Sequence, residues 1–69
     1  MKTTNLVLTD VSKNSFKFYN MKQISEDQFT AEWGRIGSTP RFTDYDLTEW
    51  DGILSSKIKK GYKIVSESK

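Results

Sequence analysis

The chain has 69 residues and a formal net charge of +2, and it contains neither cysteine nor histidine. This composition excludes disulfide bonds and the usual zinc sites, as well as catalysis by a cysteine nucleophile or a histidine base. Because so short a chain buries only about 60% of its unfolded surface, one small apolar core must supply most of its stability.

No targeting or membrane-spanning segment is predicted. The N-terminal stretch "MKTTNLVLTDVS" lacks the continuous apolar region of a signal peptide. Nowhere does the chain hold the roughly 18 consecutive apolar residues that a transmembrane helix needs. We therefore expect a soluble, cytoplasmic protein without membrane contact.

Four short strands are predicted in the first two thirds of the chain, from alternating apolar residues between polar or glycine- and proline-containing turns. They are "NLVLTDV" (5–11), "FKFYNMKQI" (16–24), "FTAEWGRI" (29–36) and "RFTDY" (41–45). Because the connecting loops are short, the strands should be antiparallel.

The apolar pattern changes to helical spacing after Thr48, with Trp50, Ile53, Leu54 and Ile58 on one stripe. Trp50 should therefore belong to the core. The stretch "YKIV" (62–65) could add a short closing strand. The predicted fold is α+β, a small antiparallel sheet of four to five strands with one C-terminal helix packed on one face.

Both ends of this helix have candidate capping residues. At the start, Thr48 with Asp51 could form a capping box, and Asp46 with Glu49 is a second possible register. At the end, Gly61 is the expected C′ residue, because glycine takes a left-handed conformation without steric cost.

Trp33, Gly34 and Arg35 form the most unusual stretch of the chain. Strand alternation puts Phe29, Ala31, Trp33 and Arg35 on one face, and Arg35 must reach water or an anion. Trp33 should then lie at the edge of the core, while Gly34 leaves room for another backbone, a ligand or a bulge. The alternative is a fully buried Trp33, a bulge at Gly34 and an ordinary surface arginine.

Positive charge concentrates in the C-terminal part of the chain. Residues 53–69 hold five lysines against one glutamate, a balance of +4. If the helix end lies near the third and fourth strands, these lysines and two arginines could form a phosphate-binding rim. The candidates are Arg35, Arg41, Lys57, Lys59, Lys60 and Lys63. Alternatively, the lysines serve only the helix dipole and solubility.

Three features of the chain resemble the WGR domain, and they occur in the order and with the spacing that this family has. The tripeptide itself lies in "EWGRIGST", Tyr19 and Gln23 match the second-strand pattern in "FYNMKQI", and the helix ends in "KIKKGY". The resemblance covers about residues 5–65. It implies a small antiparallel sheet with a helix packed on it.

The resemblance also implies a function, because WGR domains of poly(ADP-ribose) polymerases bind DNA at strand breaks. It would place Trp33 against sugar and backbone near a strand end, Arg35 against the nucleic acid or an adjoining domain, and Gly34 where a backbone approaches closely. The chain departs from the polymerases in being much shorter, with no catalytic or zinc domain.

We therefore predict that residues 1–69 form a single, non-enzymatic WGR-like domain that needs no cofactor or metal. It should bind DNA, at ends or nicks and without sequence specificity. The alternative is a protein-interaction module that docks on an adjoining domain through the Trp33/Arg35 face. Tyr19 and Gln23 could equally be a cross-strand pair. The predicted nucleic-acid-binding residues are Trp33, Gly34, Arg35, Arg41, Tyr19, Gln23, Lys57, Lys60 and Lys63.

Overall fold

Five antiparallel strands form one sheet in the order β4-β3-β2-β1-β5 in the computed structural model, which describes all 69 residues. The elements are β1 (Thr3–Asp10), β2 (Ser15–Gln23), β3 (Gln28–Arg35), β4 (Arg41–Asp46), a 3-10 turn (Leu47–Glu49), α1 (Trp50–Lys59) and β5 (Lys63–Ser68). All four predicted N-terminal strands are present, and their ends differ from the predicted ones by at most two residues. The closing strand is longer than predicted and pairs with β1.

Alternation along the strands sorts the side chains of the sheet as predicted. Tyr19 and Met21 of β2, and Phe29 and Ala31 of β3, are buried on one face together with Leu6 of β1. Trp50 of α1 completes this core, and the partly buried Ile53 and Leu54 pack against it. On the opposite face, Phe16 and Phe42 stay exposed, because the single helix contributes nothing to cover them.

The start of the helix differs from the prediction. Thr48 lies inside the 3-10 turn, and neither Asp46 before that turn nor Glu49 before α1 makes a side-chain capping hydrogen bond. Both proposed capping boxes are therefore wrong. Backbone carbonyls accept from the N–H groups at the start of the helical segment instead. The Leu47 N–H donates to the Asp27 carbonyl at 2.8 Å, and the Trp50 N–H donates to the Leu47 carbonyl.

The end of the helix confirms the prediction for Gly61. Its φ is 107°, its N–H donates to the Ile58 carbonyl at 3.0 Å, and the Tyr62 N–H donates to the Lys57 carbonyl at 3.1 Å. This pair of bonds is a Schellman motif. It reverses the chain so that β5 can return along β1. No helix of the structure has the length and apolar character needed to cross a membrane.

Gly61→Ala is expected to lower the free energy of unfolding by about 1 kcal/mol or more, because alanine is strained at a positive φ. A Cβ at this position would also lie 3.2 Å from Cδ1 of Leu8. Gly52→Ala is the matched control: it lies within α1 with open space around it, so it should gain about 0.5–1 kcal/mol. Urea unfolding of both variants measures the difference, and a Gly61 variant as stable as the wild type would contradict the role of the turn.

Candidate functional site

A cleft of about 350 Å³ lies where the last turn of α1 meets the ends of β2 and β3. We call it the cationic cleft, because four of its eight lining residues are positively charged and none is acidic. The lining residues are Leu8, Lys17, Trp33, Gly34, Arg35, Lys57, Lys60 and Tyr62. A concave surface with this charge suits an anionic ligand.

Strand pairing explains why residues far apart in the sequence meet here. Lys17 is the cross-strand partner of Arg35, and Tyr19 is the partner of Trp33. Directly opposite residues of an antiparallel pair project to the same side with their Cβ atoms about 4.5–5.5 Å apart. Lys57 in the last turn of α1 and Lys60, the C-cap residue of that helix, add two more positive charges to the cleft.

Trp33 lies at the edge of the core, as predicted. Its ring stacks on Tyr19 with centroids 5.9 Å apart and planes at 24°. Tyr62 meets Tyr19 edge-on at 6.4 Å. Tyr19 is buried, whereas Trp33 is half-buried and also lines the cleft. The core therefore holds the indole rigidly while part of it faces the cleft.

Lys57 is the least hydrated cation of the cleft. Its Nζ lies 4.5 Å from the ring centroid of Tyr19 and 5.9 Å from that of Tyr62. Burial, together with the nearby charge of Lys60, lowers the pKa of Lys57. Burial also raises the pKa of Tyr19 to about 12, so this ring stays neutral beneath the ammonium group. An anion in the cleft would relieve the repulsion between Lys57 and Lys60.

Gly34 makes room for a neighbouring backbone of the same chain. A Cβ at this position would lie 3.6 Å from the Pro40 Cα and 3.8 Å from Cε1 of Phe18. The pairing of β2 with β3 runs without a shift through Gly34, so the bulge considered as an alternative is absent. Gly34 therefore lets the β3–β4 turn pack closely and lines the cleft through its backbone.

The other predicted residues divide into one near the cleft and several away from it. Arg41 pairs with Trp33, so it projects from the same side of the sheet, but it is not among the residues that line the cleft. Lys63 pairs with Val7, and that register turns it toward the opposite face. Lys59 lines a separate depression on the outer side of α1. The proposed rim of six cations is thus only partly assembled.

Gln23 lies at the far end of β2, four residues from Tyr19. Its side chain is engaged there, because Oε1 accepts from the Lys2 backbone N–H at 3.2 Å and Nε2 donates to the Ser25 carbonyl at 2.8 Å. Gln23 therefore anchors the N-terminus and the β2–β3 turn. It is not a cross-strand partner of Tyr19, whose partners are Leu6 and Trp33.

Three residues of the cleft are absent from the predicted site: Leu8, Lys17 and Tyr62. Alternation already put Lys17 on the same side of β2 as Tyr19, but nothing local indicated that Arg35 lies directly opposite. Leu8 and Tyr62 were missed for the same reason. Leu8 reaches the cleft from β1, and Tyr62 reaches it from the segment between α1 and β5, so only the tertiary structure brings them to Trp33. Knowledge of the hairpin register would have identified Lys17.

These features define a small sheet-and-helix module with a cationic, aromatic cleft of the kind that contacts phosphates. A family model of the WGR domain matches residues 2–69, and the chain belongs to that family. The resemblance drawn from "EWGRIGST" and its flanking motifs is therefore confirmed. In general, WGR domains are nucleic-acid-binding modules.

A viral protein is among the relatives of this chain. Over 53 residues the chain is 43% identical to uncharacterized protein 101L of Invertebrate iridescent virus 6, an alignment that covers 77% of this chain and 23% of the viral protein. The chain thus spans less than a quarter of that relative's length. No solved structure matches the chain.

Proposed function

We propose that this WGR domain is a non-enzymatic module that binds DNA through its backbone and strand ends, without sequence specificity. The observation that carries the proposal is the cationic cleft, in which four positive charges converge beside Trp33 with no carboxylate in the lining. Phosphate contacts by lysine and arginine supply most sequence-independent affinity for nucleic acids.

The net charge of the cleft favours an anion, although the cleft lies at the negative end of the dipole of α1. The cleft lies at the C-terminal end of α1, where the helix dipole contributes roughly half a negative charge. Four full positive charges, from Lys17, Arg35, Lys57 and Lys60, outweigh that contribution. The net field is therefore positive.

The chemistry of the lining favours backbone over base recognition. Lysine and arginine side chains contact phosphates in any sequence, whereas discrimination between bases needs groups that reach the groove edges. Trp33 adds a flat surface that suits a sugar or an unstacked base. The cleft lining offers no amide side chain to read a base edge.

Preference for strand ends rests on Trp33 and Arg35 together. An indole cannot stack on bases that are already stacked, but it can cover a sugar or base exposed at a break. The one hydrogen bond of the Arg35 side chain is a long 3.5 Å contact from Nη2 to the Asn14 carbonyl, which leaves the guanidinium fork for an anion. A terminal phosphate carries more charge than an internal diester and accepts such a fork well.

A competition experiment tests the preference for ends. A duplex nicked with a 5′-phosphate should compete roughly tenfold or more better than the same duplex closed by hairpin loops, a ratio that corresponds to about 1.4 kcal/mol. Arg35→Lys should reduce this ratio while keeping most of the overall affinity, because lysine retains the charge and loses the fork.

Lys63→Ala is the control for that experiment, because it removes a positive charge from the opposite face of the sheet. It should leave the ratio unchanged. If the nicked and closed duplexes compete equally with the wild type, end recognition is rejected and only general backbone binding remains.

A second candidate function is docking on an adjoining protein domain through the same Trp33/Arg35 face. The observation in its favour is that the matching region makes up only 23% of the viral relative, so in that protein it has neighbouring segments. An amide-shift titration with a short duplex at low salt separates the two functions. Shifts centred on Trp33, Lys57 and Lys60 would support DNA, and an unchanged spectrum would support docking.

A further inference from the structure

Three exposed apolar residues lie at the same end of the sheet, next to the cationic cleft. Val11 in the β1–β2 turn is 84% exposed, Phe16 at the start of β2 is 40% exposed, and Ile36 just after β3 is 56% exposed. The Ile36 N–H donates to the Phe16 carbonyl at 2.9 Å, and the turn closes through the Asn14 N–H and the Val11 carbonyl at 3.2 Å. We call Val11, Phe16 and Ile36 the apolar tip.

The apolar tip and the cationic cleft are two sides of one end of the sheet. Phe16 precedes Lys17, Ile36 follows Arg35, and consecutive strand residues point to opposite faces. The Arg35 guanidinium also donates to the carbonyl of Asn14 within the turn. The Arg35 guanidinium therefore reaches the end of the sheet, and an anion that it binds would lie beside the β1–β2 turn that carries Val11.

The uncovered face of the sheet accounts for the exposure of Phe16, but turn chemistry does not explain Val11. Turns favour residues such as serine and asparagine, and Ser12 and Asn14 fit that preference, with Asn14 at a φ of 51°. The β-branched, almost fully exposed Val11 does not fit it. An exposed apolar cluster beside a charged site indicates a contact surface.

The acid nearest the apolar tip is already engaged. The Asp10 carboxylate accepts from the Ser12 hydroxyl at 2.7 Å and from the Lys13 N–H at 3.3 Å. The bond from Ser12 holds the pKa of Asp10 below its usual value. Lys13 lies beside it, so the turn does not present an uncompensated negative charge to a phosphate backbone.

We propose that the apolar tip covers the outer face of the terminal base pair of a duplex whose backbone lies in the cationic cleft. This inference rests on the proposed function and specifies how an end would be recognised. The terminal pair of a duplex has one flat, unstacked face, and a continuous duplex offers none. The site combines phosphate contacts on one side with a nonpolar surface on the other, as end recognition requires.

The test compares a blunt duplex with the same duplex closed by hairpin loops at both ends, both lacking 5′-phosphates. The double variant Val11→Ser with Ile36→Thr should lose about tenfold affinity for the blunt duplex, since it removes apolar surface that the terminal base pair would bury. Its affinity for the closed duplex should not change. A 2-aminopurine in the terminal pair should change fluorescence with the wild type and much less with the double variant.

Val65→Ser is the matched control, because Val65 is a 61% exposed strand residue on β5, away from the cleft. Thermal melting establishes that each variant is folded. If the folded double variant binds both duplexes like the wild type, the apolar tip has no role, although backbone binding in the cleft stands. If the wild type binds neither duplex, the proposed function itself fails.

A binding assay with vesicles of phosphatidylcholine and phosphatidylserine tests the alternative that the apolar tip contacts a membrane. An apolar tip beside cations could also insert into an anionic membrane surface. Tight vesicle binding that the double variant abolishes, with duplex binding unchanged, would overturn the proposal in favour of a membrane contact.

Discussion

Trp50→Ala is expected to lower the free energy of unfolding by about 3–5 kcal/mol. The Trp50 ring is 4% exposed and meets Phe29 edge-on, with centroids 4.9 Å apart and planes at 69°. The Lys2 ammonium lies 4.6 Å from the same ring. Truncation would remove the largest side chain that the helix contributes to the core and leave a cavity.

A loss of this size is a large share of the stability of the domain, since a chain of this length is stable by only about 3–10 kcal/mol. Trp50→Phe is therefore included as a milder variant that keeps an aromatic ring against Phe29. Chemical unfolding followed by circular dichroism gives the free energies. Trp50→Ala should unfold at a much lower denaturant concentration than the wild type, and Trp50→Phe should have a stability between the two.

Trp33→Ala is expected to reduce DNA affinity more than stability, whereas Trp50→Ala mainly reduces stability. Its ring is half-buried on Tyr19 and lines the cationic cleft, so truncation should cost less stability than Trp50→Ala and more DNA affinity. Unfolding and DNA titration of the same variant measure both quantities. Equal losses of stability in the two alanine variants would identify Trp33 as an ordinary core residue.

Affinity for duplex DNA is expected to fall about 100-fold between 50 and 200 mM salt. Four phosphates neutralised by Lys17, Arg35, Lys57 and Lys60 give a log–log slope of about −3.6, because each contact contributes roughly −0.9. Fluorescence anisotropy with a short duplex at several salt concentrations measures this slope.

The salt dependence of single alanine variants then shows which positive charges contact the DNA. Lys17→Ala and Lys60→Ala should each make the slope shallower by about 0.9, whereas Lys63→Ala should leave it unchanged. Lys63 is matched to them in charge, and its pairing with Val7 places it on the other face. A wild-type slope near zero, or an equal effect of all three variants, would exclude the cleft as the site of backbone contact.

Local regularities of the sequence determined the elements and the sides of the sheet. Alternation with a period of two residues put Trp33 and Arg35 on the side of Phe29 and Ala31, and the burial of Phe29 and Ala31 follows that pattern. Helical spacing after Thr48 identified Trp50 as a core residue, and Gly61 identified the end of α1. These predictions hold because alternation, helical periodicity and the conformational freedom of glycine depend on a few neighbouring residues.

Only the tertiary structure decided which of these residues meet. Lys17 joined the cleft because the β2–β3 register sets it opposite Arg35, and Lys63 left it because β5 pairs with β1 in a register that points it away. The capping boxes failed because a distant carbonyl, that of Asp27, accepts from the first amide of the 3-10 turn. Shifting a strand by one residue reverses which side chains face each side, and that register depends on contacts between segments far apart in the chain.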